Sequence, residues 1–226
     1  MQRMRVRYAK RGRLRFTSHR DFSRAFERAL VRARIPMAYS SGFNPHPRIS
    51  YAGASPTGAA SEAEYLEIGL AEHVDAARLA AELDDALPEG LDVLEVVEAT
   101  PGSLAERLQV SRWRIALPGS DLAEVDRAVA AFLAAGAVEV ERMTKKGLRT
   151  FDSRAAVLAL AATSYDDGTT LEVVLRHAEP AVRPDDVLTG LSRVGGLDAP
   201  GTTLVTRLEQ GPYDEETGAI GDPLSG

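Results

Sequence analysis

Arg3-Met4-Arg5-Val6-Arg7-Tyr8, followed after a short basic turn by Phe22-Ser23-Arg24-Ala25-Phe26-Glu27-Arg28-Ala29-Leu30, is the stretch that decides the fold. In its first part Met4, Val6 and Tyr8 alternate with three arginines, the period of two that gives a strand one buried and one wet face. In its second part Phe22, Ala25, Phe26, Ala29, Leu30 and Ala33 recur at steps of three and four, which places them on one stripe of a helix. Ser18 with Asp21 forms a capping-box variant at the helix start, and Pro36 lies just beyond its end. A strand running directly into an amphipathic helix opens a βα unit, and the segments downstream decide which kind.

A proline-rich loop, Ser40 to Pro47, leads into a short strand at Arg48 to Ala52. Pro56-Thr57-Gly58 turns the chain into a second alternating run, Ala63 to Leu70. Val74, Ala77, Leu79, Ala80, Leu83 and Leu87 then mark a helix, and Leu91 to Val97 a strand. The order β-α-β-β-α-β is the split βαβ, or ferredoxin-like, arrangement. A similar order begins again after Pro101-Gly102. It has a strand at Trp113 to Leu117, a helix at Asp121 to Ala135, strands at Val138 to Met143 and near residues 156–162 and 170–177, a helix near 184–192 and a strand near 203–209. The expected fold is α+β, two ferredoxin-like modules over residues 1–99 and 100–209, the second carrying an added strand or hairpin around Arg149 to Ala162. Residues 210–226, rich in Gly, Asp, Glu and Pro, are expected to form a mobile acidic tail.

Hydrophobic residues make up 44% and charged residues 27% of the 226 positions, the range of an ordinary globular protein. The absence of cysteine excludes disulfides, thiolate zinc sites, catalytic thiols and cysteine-ligated iron–sulfur clusters. No cofactor is expected, and no metal site either, because Glu62, Glu64 and Glu67 do not all share one strand face. No apolar run has the length of a signal peptide or a membrane span, so the sequence reads as cytoplasmic, without a membrane partner.

Residues 1–50 hold 13 Lys or Arg against Asp21 and Glu27, a net of +11, whereas the rest of the chain carries −17. Such a segment attracts polyanions. Within it, Ser18, His19 and Arg20 sit at a helix start, where unpaired amides attract phosphate or carboxylate. Arg20, Arg24, Arg28 and Arg32 recur every four residues, each step advancing about 40° around the helix, and so form a slowly winding ridge. The loop residues Phe43, Asn44 and His46, with Arg48 behind them, either stack and read a base or plug the core while Pro45 and Pro47 fix the turn. Lys145, Lys146, Arg149 and Arg154 form a second basic cluster, read equally as an extension of the first basic face or as an exposed hairpin.

Several of these pieces together resemble the radical-SAM-linked protein family. They are Lys10-Arg11-Gly12, Phe16-Thr17-Ser18-His19-Arg20-Asp21, Arg28-Ala29, Pro36, Gly42-Phe43-Asn44-Pro45-His46-Pro47, Gly58 and Ser61-Glu62-Ala63-Glu64-Tyr65. Lys145-Lys146-Gly147, Asp152-Ser153-Arg154 and Arg183-Pro184 extend the likeness over most of the chain. Arg20 departs from it, standing where an apolar residue is expected between the histidine and the aspartate. The family occurs alone or as a C-terminal extension of a radical-SAM protein with a cobalamin-binding-type region, so the resemblance implies a radical-SAM partner that supplies the radical chemistry. The missing cysteines agree, since the partner and not this chain would have to hold the cluster.

The leading reading is a non-catalytic, RNA-associated accessory protein working with that partner. A protein-binding adaptor that docks an acidic surface and touches no nucleic acid is the alternative. Metal-independent RNA cleavage by His19 or His46 is the third, and it rests on fold analogy alone.

Overall fold

Alternation of Met4, Val6 and Tyr8 with arginine makes β1 (Gln2–Lys10), the strand around which the N-terminal half is built. It is followed by a 3-10 turn (Gly12–Phe16), α1 (His19–Arg32), β2 (Ile49–Ala52), β3 (Ala60–Leu70), α2 (Ala76–Ala86) and β4 (Leu91–Glu98). Val6 lies opposite Leu66 of antiparallel β3 and opposite Val96 of antiparallel β4, and Tyr51 of β2 lies opposite Leu66 on the outer side of β3. The strand order β4-β1-β3-β2 is that of a split βαβ unit.

The computed structural model describes all residues except 145, 146, 167, 200, 202 and 226. It divides the chain into two units, Met1–Leu108 with Gln210–Gly226, and Gln109–Glu209.

In the first unit both helices lie on one face of the sheet. Phe22, Phe26 and Leu30 of α1 and Leu79 and Leu83 of α2 pack against Met4, Val6, Leu66, Ile68 and Val96. The Tyr8 and Phe22 rings stack at 4.5 Å and 3°. The other face of the sheet carries Arg3, Arg5, Ala63, Tyr65 and Glu67, and it is covered. The short helix α3 (Leu104–Arg107) and the chain's last residues lie over it, so that Leu104, Leu108 and Leu224 are buried with Ala52, Ala63 and Tyr65.

Where composition suggests a mobile tail, the structure shows a folded segment. Asp214 accepts the N–H groups of Glu216 and Thr217 at 2.8 and 3.0 Å, Tyr213 bridges to Ile220, and Leu224 is 3% exposed. One apolar anchor and a capped turn hold a largely polar and glycine-rich segment in place, which a composition average cannot register. The division after Leu108 instead of residue 99 has the same cause. Thr100 to Leu108 is the cover of the first sheet and not the entry to the second.

The second unit repeats the plan with β5 (Val110–Pro118), α4 (Leu122–Ala134), β6 (Glu139–Thr144), β7 (Gly147–Asp152), β8 (Val157–Tyr165), β9 (Gly168–Arg176), α5 (Pro184–Gly195) and β10 (Leu204–Gly211). β9 is antiparallel to β5 and to β8, and the order β10-β5-β9-β8 again matches a split βαβ. The added hairpin is β6–β7, whose strands pair with each other, Val140 opposite Phe151. The strand at residues 139–144 therefore belongs to the insertion, and β8 fills the place of the module's second strand. Gly195 of α5 brings that helix against α4 so closely that a Cβ there would stand 2.4 Å from Ala128 Cα.

Candidate nucleic-acid interface

Among the thirteen cations of the first fifty residues, those of β1 and those of α1 differ in how they are used. Those of β1 are spent inside the fold. Arg5 is fully buried, and its guanidinium donates to Glu67 Oε2 at 3.3 Å, Thr100 Oγ1 at 2.9 Å, Thr100 O at 3.0 Å and Gly102 O at 2.7 Å. Arg3 pairs with the same Glu67 at 3.2 Å, and Arg7 donates to Glu62 O at 2.9 Å. Arg11 bridges Glu62 and Asp92, and its pKa rises further, chiefly through the hydrogen bond to Glu62. Glu62 and Glu67, two of the three clustered strand glutamates, thus hold arginines. The third, Glu64, is buried and accepts the Ser55 N–H at 2.9 Å.

The cations of α1 are different. Arg20, Arg24 and Arg28 are exposed, and among the described residues no ion pair or side-chain hydrogen bond engages them. Arg32, the next in the series, reaches back to Ala86 O at 3.2 Å. The ridge is therefore three guanidiniums long. Asp21, which could have neutralised it, is taken by the helix start, where the Ser18 hydroxyl donates to its carboxylate at 2.6 Å and accepts its N–H at 3.2 Å. Ser18 thus serves the cap, and the Asp21 carboxylate already lies in the first turn, where an external anion would otherwise bind.

His19, the first residue of α1, is exposed and stands edge-on to Tyr51 of β2, ring centroids 4.9 Å apart at 89°. Tyr51 was not among the residues singled out in the sequence. Burial pushes its phenol pKa up, the Glu27 carboxylate adds to the rise, and Ser23 opposes it. Its only sequence signal was its position in a short strand after the proline loop, where either face could have been the buried one.

The loop between α1 and β2 closes on a bridge between Tyr39 and Pro47, with the Ser40 hydroxyl accepting the His46 N–H at 3.0 Å. Between these feet Phe43 projects without any cover, and Asn44 and His46 are exposed beside it. Phe43 is no core plug. Arg48 donates to Tyr39 O at 3.3 Å and steadies the loop from behind. Tyr39 and Pro47 also wall a dent of about 170 Å³, whose other side is Glu27, Leu30 and Val31 of α1. Helix ridge and loop are in this way parts of one surface of the first unit.

The second basic cluster belongs to the other unit. Arg149 is exposed on β7, whereas Arg154 is half-buried and donates to Val157 O at 2.9 Å. Lys145 and Lys146 lie outside the described residues. No carboxylate hydrogen-bonds the ring of His19 or His46 among the described residues, so neither has the orienting partner of a general base.

Among solved structures, the first two RRM domains of the yeast poly(U) binding protein Pub1 are similar to 91% of this chain over 98% of theirs, at 10% identity and a TM-score of 0.23. No curated protein matches the chain. A family model matches residues 3–184. With the greater part of its length covered, the chain belongs to the bacterial family described as "Uncharacterized protein conserved in bacteria (DUF2344)".

Proposed function

We propose that this chain is a non-catalytic, RNA-associated accessory protein that works beside a radical-SAM partner enzyme and grips RNA phosphates with Arg20, Arg24 and Arg28. The unspent state of these three guanidiniums carries the reading, because the neighbouring strand arginines are committed to internal acceptors. Planar, permanently charged forks spaced along a helix suit successive phosphate oxygens. The exposed ring of Phe43 adds a surface on which a base can stack. The helix and its adjoining loop form the contact, not the sheet, since the outer sheet face of the first unit is covered by α3 and the C-terminal segment. The radical-SAM partner follows from the family resemblance, and this chain's part would be to hold the substrate for it.

Anisotropy of a labelled single-stranded RNA, titrated across ionic strength, tests this. Each phosphate contact contributes a slope of about 0.7 in log affinity against log salt. Replacing Arg24 and Arg28 by Glu is expected to lower the slope by at least roughly 1.4 and to weaken binding of all sequences alike. No affinity for RNA at low salt would overturn the reading. If instead the partner enzyme co-purifies after nuclease treatment and is lost on the same charge reversal, α1 is a protein-docking surface.

A further inference from the structure

The dent beside the ridge has a composition that phosphate binding leaves unexplained. Its walls are Leu30, Val31, Ile35, Met37, Tyr39 and Pro47, and its one charged group is Glu27. Val31 is 73% exposed and Tyr39 54% exposed, so an apolar concavity faces water. At about 170 Å³ it is below the roughly 300 Å³ at which sites for whole drug-sized ligands begin. It has room for one ring system. Glu27 lies between Arg24 and Arg28 in sequence, yet no ion pair engages it among the described residues. An unpaired carboxylate at the rim of an apolar, ring-sized dent accepts hydrogen bonds and donates none.

We infer that the dent is a nucleobase pocket and that guanine is the base it selects. The inference rests on the RNA reading above and names the base that the ridge delivers. Guanine alone among the four RNA bases presents two adjacent N–H donors, N1–H and N2–H, on its pairing edge, and two parallel donors match the two oxygens of a carboxylate. Adenine and cytosine each set one donor beside a ring nitrogen lone pair, which a carboxylate repels. Uracil places its single N–H between two carbonyl oxygens. The aliphatic walls and the Tyr39 ring supply the apolar contact that an unstacked base gives up on leaving its strand. Arg24 and Arg28, next to Glu27 on the helix, are placed to take the flanking phosphates.

The test compares a short labelled oligouridine with the same strand carrying one central G, A or C, using the full chain at low salt. The G strand is expected to bind about tenfold more tightly than oligouridine, with A and C giving no such gain. Removing an acid from a basic surface raises affinity for every RNA, so the reading is the ratio between strands within one variant. In Glu27→Gln and in Tyr39→Ala the G-to-U ratio is expected to fall toward one. A wild-type ratio near one, or a ratio undiminished in both variants, overturns the pocket while leaving phosphate binding intact. If no strand binds, the RNA reading fails, and titration with GMP and AMP followed on the Leu30, Val31 and Ile35 methyl resonances decides the pocket separately. Saturable shifts with GMP alone uphold it, and equal or absent shifts overturn it.

Discussion

Arg5 shows how a charged residue can be read correctly as a strand position and wrongly as a surface one. Its guanidinium meets acceptors on Glu67, Thr100 and Gly102, so a buried cation joins β3 to the segment leading into α3. Arg5→Ala would remove the fully buried guanidinium and take a donor from Glu67 and from the Thr100 and Gly102 carbonyls, a loss of about 3–5 kcal/mol. Urea unfolding is expected to show that loss, whereas Arg13→Ala, at an exposed position, stays within about 0.5 kcal/mol. Equal midpoints for the two variants would refute the clamp. Asp186 of α5 gives a pH prediction. Burial raises its carboxyl above the ordinary value, against the lowering pull of the Arg183 N–H and of the Arg142 and Arg183 charges. The folded protein then holds a proton that the unfolded chain has released, so stability falls as pH rises from the ordinary carboxylate value to the raised one and is level above it. The stability of the wild type minus that of Asp186→Asn should decline over that interval, and a difference that grows there would mean a depressed carboxyl. Sequence alone showed Arg3, Arg5 and Arg7 alternating out of the helix-covered face. It could not show that Thr100 to Leu108 returns to cover the other face, because that contact joins positions nearly a hundred residues apart.

The elements were largely legible because their periods are clean. Met4, Val6 and Tyr8 mark β1, and Phe22, Phe26 and Leu30 mark α1, on faces that the structure buries. The arginine ridge on α1 was legible for the same reason, since spacing of four fixes a common face. What spacing could not show is that Arg20, Arg24 and Arg28 lack partners among the described residues, a property of the surrounding surface and not of the helix. Assignment of the inserted hairpin shifted because β6 and β8 are both ordinary strands by pattern, and only pairing with β9 distinguishes them. The approach of α5 to α4 is also invisible to period, and it makes an element-scale prediction. Alanine favours a helix over glycine by about 1 kcal/mol, so Gly195→Ala would stabilise an isolated α5. In the protein the new Cβ meets Ala128 backbone at 2.4 Å, an overpacking that costs about 1–3 kcal/mol. Net destabilisation by calorimetry is expected, and a raised Tm would show that the helices can part at no cost.

For the whole molecule, the unequal charge read from the sequence stands, but the part of it available to a ligand is much smaller than the +11 of the first fifty residues suggests. The repeat of the split βαβ order was legible in the sequence, and the path of the C-terminus was not, because Leu224 is one apolar residue in a polar stretch. That path predicts an effect of truncation. Ending the chain at Gly211 would strip Leu224 from Ala63 and Tyr65 and remove the Pro223 and Ser225 carbonyls that Arg107 holds. Burial of one leucine is worth about 1.5–3 kcal/mol, which for a chain of this size lowers Tm by roughly 3–12 °C. Protease is then expected to cut first near α3, and an unchanged Tm and cleavage pattern would show that the segment is dispensable. The same path bears on synthesis. The second unit is continuous from Gln109 to Glu209 and has all its strands once β10 has left the ribosome. The first unit is begun earlier but is completed by Leu224, so Arg107 waits 116 residues for a carbonyl that has not yet been translated. During that interval the nascent N-terminal half presents a sheet face covered by α3 alone, and the half of the protein made first is the half that finishes folding last.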